Sequence, residues 1–215
     1  AVMQPYLFPY QSYFELIASV DLMIILDDVN FITRGFIHRN YVPDVKHLKR
    51  KFGLQIEASS QNKKINQLRV LQLDFRHLEV FLSKYPNSQA HDIVKRSVDS
   101  FYPLRNLADF VADSVRIVCE ELGITTPLVK SSSLDPRATE KGQDRIIKLC
   151  KICSATQYLN PVGGHDLYQA TTFQNSGIEL QFQESVQMDA REEKFSILHR
   201  LSVNPNYALQ LQSPI

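Results

Sequence analysis

The chain has 215 residues, 44% of them apolar, with 24 basic against 23 acidic side chains and a formal net charge of +1. That composition can bury a sizeable core as a single α/β domain over 1–215, with a helical excursion at about 66–122. The balanced charge argues against nucleic acid or an anionic membrane surface as partner, and no apolar run approaches the roughly 20 residues of a spanning helix.

Ala1-Val2-Met3 reads as the end of a buried strand and not as a charged leader with an apolar signal segment. Gln4-Pro5-Tyr6-Leu7-Phe8-Pro9-Tyr10-Gln11-Ser12-Tyr13 follows, aromatic rings around two prolines that stiffen a loop. Phe14, Ile17 and Ala18 then form one apolar face of a helix. Leu22 to Leu26 is a second strand ending in Asp27-Asp28, so the opening is a βαβ unit, whose crossover suits parallel strands. Residues 31 to 57 read as a second strand pair or an extended excursion around the basic patch Lys46 to Lys51. Asn66 to Ser100 reads as mostly helical after a short extended start. Asn106 to Leu122 is a helix closed by Gly123, Thr126 to Lys130 a short strand, Ser131 to Asp135 a polar loop and Lys141 to Ser154 a helix. Gln157 to Leu159 and the alternating Ile178 to Phe182 are further strands. The expected fold is α/β, a mostly parallel sheet flanked by helices.

In a parallel sheet the C-terminal strand ends share the edge where ligands bind. Residues 4–13, 27–40, 131–135 and 160–168 meet there, so Tyr10, Asp27, Ser132 and Asn160 are expected in one cleft. Phe8 and Phe14 read as cover for the sheet, whereas Tyr6, Tyr10 and Tyr13 carry hydroxyls that need partners and are the better ligand contacts. Asp27 and Asp28 point to opposite faces of an extended chain. They can hold Mg²⁺ with substrate phosphates or simply close a turn. Arg34 or Arg39 can clamp a carboxylate or phosphate. His38 is the neighbouring group suited to proton transfer, although a lone strand histidine is more often structural. Gly163 and Gly164, after Asn160-Pro161, allow a close backbone approach to an anion and equally suit any tight turn.

Three cysteines cannot form a full disulfide set, and a reducing cytosol fits best. Cys150-Lys151-Ile152-Cys153 lies within a helical run and has no second pair at zinc-binding spacing, so buried helix cysteines explain it more simply. There is no paired-histidine zinc pattern, Gly-x-Ser-x-Gly elbow, Walker loop or Gly-x-Gly-x-x-Gly fingerprint. Common hydrolase, P-loop ATPase and dinucleotide-cofactor readings are disfavoured, and no protein-only metal site is expected.

The opening through Tyr13, the stretch Asp21 to Asn40, Ala58-Ser59-Ser60-Gln61-Asn62-Lys63, Lys141-Gly142-Gln143-Asp144-Arg145 and Tyr158-Leu159-Asn160-Pro161-Val162-Gly163-Gly164 together resemble the WbqC-like family of bacterial proteins. The resemblance implies a setting in surface polysaccharide (O-antigen type) synthesis. It adds Gln4, Asn40, Gln143 and Asp144 to the site candidates, although Asp144 also reads as a helix-start residue. The chain departs from the family pattern at Ser12, where Gly is expected and a Gly-only conformation would strain the loop, and at His38, where Asn is expected. Phe8-Pro9-Tyr10-Gln11-Ser12-Tyr13-Phe14-Glu15-Leu16-Ile17 also resembles the frame of nucleotidyltransferases of the Rossmann-like class with a His-x-Gly-His motif, with Tyr10 and Tyr13 at the two histidines. A neutral tyrosine can donate one hydrogen bond to phosphate but cannot titrate near neutrality. The resemblance implies a Rossmann-like, nucleotidyltransferase-like opening unit that binds a nucleotide or phosphosugar without catalysing adenylyl transfer.

Two classes of function follow. In the first, the chain is a cytoplasmic transferase acting on a nucleotide-linked sugar or activated small metabolite, with Tyr10, Tyr13, Asp27 and His38 at the chemistry. Gln4, Tyr6, Asp28, Arg34, Arg39, Asn40, Ser132, Gln143, Asp144, Asn160, Gly163 and Gly164 would then hold the substrate. In the second, a non-catalytic binding or assembly protein of the same pathway uses the same cleft.

Overall fold

A computed structural model describes residues 1–57, 62–183, 195–204 and 206–207, and the motif residues Ala58 to Gln61 lie outside them. The opening unit is β1 (Val2–Met3), α1 (Gln11–Ala18) and β2 (Met23–Ile25). β2 pairs in parallel with β1 on one side and with β7 (Leu128–Lys130) on the other, in the order β1-β2-β7. All three residues of β2 are buried, as a strand covered on both faces requires. Met23 and Ile25 face the large core built with α1 and with α4 (Leu107–Glu121), whereas Val2 and Ile24 face a smaller core under α6 (Gly142–Ile152).

Alternate carbonyls of β1 face opposite ways. Those of Ala1 and Met3 accept from Ile24 and Leu26, and that of Val2 meets the Tyr158 hydroxyl at 3.5 Å. Tyr158 belongs to β8 (Gln157–Asn160), which pairs in parallel with β9 (Glu179–Phe182), so this two-stranded sheet lies beside the free edge of β1. Gln183, just past β9, donates to the Ser12 carbonyl at 3.4 Å, which sets the end of β9 on the same side as the loop after β1.

The helix closures follow their local chemistry. Asn106 caps α4 through the Asp109 amide, and Gly123 at φ 68 ends it in the left-handed conformation where glycine carries no Cβ penalty. Two expectations need correction. The sheet is not one mostly parallel layer. β3 (Arg39–Pro43), β4 (Lys49–Ile56), β5 (Arg69–Asp74) and β6 (Arg105–Asn106) form a separate antiparallel sheet, with α2 (Arg76–Leu82) and α3 (Gln89–Asp99) between β5 and β6. Residues 131–135 are not a loop either: α5 (Ser131–Leu134) is a helical turn whose serines bond the end of β2. Ser12 lies in the first turn of α1, and positive φ falls on Phe8 instead, at 42°. No helix among the described residues is long and apolar enough to cross a membrane.

Candidate functional site

The C-terminal ends of β2 and β7 carry a buried polar network. Asp27, 1% exposed, takes the Ser131 hydroxyl at 3.0 Å and the Ser132 amide at 3.0 Å on Oδ1, and the Ser132 hydroxyl at 2.6 Å on Oδ2. The Ser131 hydroxyl also lies 2.5 Å from Asp28 Oδ1, and Asp28 Oδ2 accepts from Arg145 Nη2 at 2.6 Å. Arg145 turns its other nitrogen to Asp135 at 2.6 Å, and Lys148 lies between Asp135 at 3.0 Å and Glu140 at 2.9 Å. Hydrogen bonding from Lys148 draws the Glu140 carboxyl down to about 2 and, joined by Arg145, lowers that of Asp135. Hydroxyls and a guanidinium thus take the positions a cation would need around Asp27 and Asp28, so the pair does not fit a divalent-metal site. Among the described residues no other group of three or more His, Cys, Asp or Glu fits one.

Beside this network opens a cavity of about 420 Å³, within the size range of small-molecule sites. Asp28, Arg145, Glu140 and Gln143 line it together with Lys64 and Lys141. Lys64 arrives from a distant segment because the chain after β2 pairs with it: Asn30 forms an antiparallel bridge with Lys64, and the Ile65 and Asn66 amides donate to Val29 and Asp27 carbonyls. Neither lysine makes an ion pair among the described residues, whereas Arg145 is committed on both sides. Gln143 is oriented by the Gln169 amide, which donates to its Oε1 at 3.0 Å.

The aromatic loop is held elsewhere. Buried Asn40 donates to the Leu7 and Phe8 carbonyls at 3.0 and 2.8 Å, and Ser196 donates to the Phe8 carbonyl at 2.7 Å. The Tyr13 ring is 1% exposed and its hydroxyl donates to the Gln4 carbonyl at 2.9 Å, so Tyr13 ties the loop to α1. Tyr6 packs between Tyr13 and Phe36, half-buried Tyr10 precedes α1, Arg34 is exposed, and Arg39 donates to the Gly35 carbonyl at 3.2 Å. Asn160 is buried, accepting from the Tyr158 hydroxyl at 3.0 Å. An alanine Cβ at Gly164 would collide with the Asn160 side chain and force it to shift, while one at Gly163 would meet open space. Asp144 is exposed in the first turn of α6.

Of the expected residues, Asp28 and Gln143 line the cavity, Asp27 stands behind it, linked to Asp28 through Ser131, and Ser132 stands behind Asp27. Tyr10, Tyr13, His38, Arg34 and Asn160 are not part of its lining. Sequence reasoning left Arg145 without a role, although Arg145, Ile146, Leu149 and Cys150 share the buried face of α6 and an arginine there demands an acidic partner. Lys64 carried no comparable signal.

His38 lies against Phe31 at 5.1 Å between ring centroids, with Nδ1 buried and without a hydrogen-bond partner among the described residues. Burial, aided by Arg39 and Lys51, lowers its pKa to about 4. Such a group leaves the fold unpenalised above its unfolded pKa of about 6.5 and subtracts stability as pH falls from there toward 4, because the unfolded chain then binds the extra proton. Urea unfolding at pH 7 and pH 5 should therefore show a stability loss in the wild type that His38→Asn lacks. Equal losses in both proteins would refute this account.

These features define a mixed α/β protein with a small parallel sheet, helices against both faces, and a cavity at the strand ends lined by Lys64, Lys141 and Arg145 with the carboxylates of Asp28 and Glu140. The chain belongs to the WbqC-like protein family, whose model matches residues 4–203. It is similar to the uncharacterised protein Rv1507c of Mycobacterium tuberculosis, 26% identical over 172 residues, which covers 74% of this chain and 71% of that protein. No solved structure matches it.

Proposed function

We propose that the chain is a cytoplasmic transferase of bacterial surface polysaccharide synthesis, acting on a nucleotide-linked sugar or activated small metabolite bound in the cavity beside Asp28 and Arg145. The observation that carries the binding half is the pair of lysines, Lys64 and Lys141, that face this cavity without an ion-pair partner among the described residues. They can meet a phosphate while Arg145 holds the wall. The position of β8 and β9 beside β1 supports a Rossmann-like arrangement in which the strand order reverses between β1 and β8. The polysaccharide setting rests on family membership.

A second reading, a non-catalytic binding or assembly protein, is favoured by the bonds that already engage Asp27 and Asp28, which leave them poorly placed for proton transfer. Native mass spectrometry of protein purified from its source should find a donor-sized adduct, and Lys64→Ala/Lys141→Ala should lose it while keeping the wild-type unfolding midpoint. Steady turnover of that donor would select the transferase, and binding without turnover would select the second reading. An adduct that survives loss of both lysines would sink the site assignment.

A further inference from the structure

We infer that the cavity takes the nucleoside 5′-phosphate end of its ligand, with the base inside and the phosphate at Lys64 and Lys141, rather than a sugar. This rests on the reading of the cavity as the ligand site. Its inner wall is apolar: Leu26, Val29, Ile146 and the Tyr168 ring face it. A hexose would bring hydroxyl groups against that wall and leave them without hydrogen-bond partners, a desolvation cost that a flat base with two apolar faces avoids. A purely apolar chain would leave a different group idle. Gln143 is locked by the Gln169 amide on its Oε1, and its Nε2 donor has no partner among the described residues, which suits a base carbonyl. The two lysines stand at the same cavity from opposite segments, one bridged to Asn30 and one preceding α6, and so can meet a phosphate from two sides. The cavity thus presents an apolar slot, one amide donor and two cations, while its two carboxylates, Asp28 and Glu140, are neutralised by Arg145 and Lys148, which leaves the complement of a base carrying a phosphate.

Titration calorimetry of the full chain with UDP, uridine, glucose 1-phosphate and inorganic phosphate tests this. UDP should bind tighter than either uridine or glucose 1-phosphate by roughly tenfold or more, the difference of about 1.4 kcal/mol expected of one well-made added contact. Lys64→Ala/Lys141→Ala should reduce UDP to the affinity of uridine. Gln143→Glu keeps an oxygen for the Gln169 amide but loses the donor, and should weaken uridine, which has no phosphate to be repelled by the new charge. Glucose 1-phosphate binding as tightly as UDP, and depending on the lysines, would overturn the inference while leaving the anion site intact. Binding of no probe would overturn it as well, and lysine-independent binding of every probe would sink both the inference and the site.

Discussion

Replacing Arg145 by methionine should destabilise the protein by about 3–5 kcal/mol, the cost of leaving a buried charge without its partner. The guanidinium is 3% exposed and its partner Asp28 is 7% exposed, so water cannot take over the role of either. Asp135 keeps Lys148 at 3.0 Å when Arg145 is removed, but among the described residues Asp28 is left with the Ser131 hydroxyl alone, whose single hydrogen it shares with Asp27. The loss therefore falls on Asp28, and the double variant Arg145→Met/Asp28→Asn should recover a large part of it by removing the orphaned charge. For a chain of this size the single variant should melt roughly 6–20 °C lower than the wild type. Chemical unfolding of both variants measures it. A single-variant loss below about 1 kcal/mol, or a double variant no more stable than the single one, would show that the pair contributes as a surface bridge does.

Which parts of this molecule were legible in the sequence follows from where their causes lie. β1, α1, β2 and α4 announce themselves through local signals: a continuous apolar run, a helical apolar face, a glycine at φ 68 that ends the helix. The antiparallel sheet was only half visible. β5 carries Val70, Leu71 and Leu73, whose spacing together with Leu68 also fits a helix, and pairing with β4 decides the matter. α5 read as a loop because three serines have poor helical propensity, and the bonds that hold them run to Asp27 and Asp28, over a hundred residues away in the chain. Residues that line or back the cavity divide in the same way, by whether their placement has a local cause. Asp27, Asp28, Ser132 and Gln143 sit at strand and helix ends that the sequence marks, whereas Lys64 is brought to the cavity by the pairing of its segment with residues 27–30. In the aromatic loop the tyrosines read as ligand contacts because the Gln4 carbonyl that Tyr13 bonds and the Asn40 amide that holds the loop backbone are not encoded in any local pattern.

Asn40→Leu should cost about 2–4 kcal/mol, from three hydrogen bonds lost at once and two buried carbonyls left short of donors. Asn40 is 2% exposed, gives both amide hydrogens to the Leu7 and Phe8 carbonyls, and accepts from the Tyr41 amide at 2.8 Å. The cost is raised by what these bonds hold. Phe8 sits at φ 42, a left-handed conformation that a side chain resists, while its ring is buried against Phe52 and Phe75 at 6.3 and 6.2 Å. With the Asn40 donors gone, Ser196 at 2.7 Å remains on the Phe8 carbonyl and the Ile197 amide at 2.9 Å on that of Pro9, so the loop loosens without detaching. Urea unfolding should register the lost stability, and near-ultraviolet circular dichroism should register altered tyrosine packing in a protein that still unfolds cooperatively. Asn40→Asp should fail to rescue it, because a carboxylate can still accept from the Tyr41 amide but repels both loop carbonyls. Wild-type stability in Asn40→Leu, or full rescue by aspartate, would mean that Ser196 and the aromatic packing alone hold the loop and that the three bonds of Asn40 are incidental.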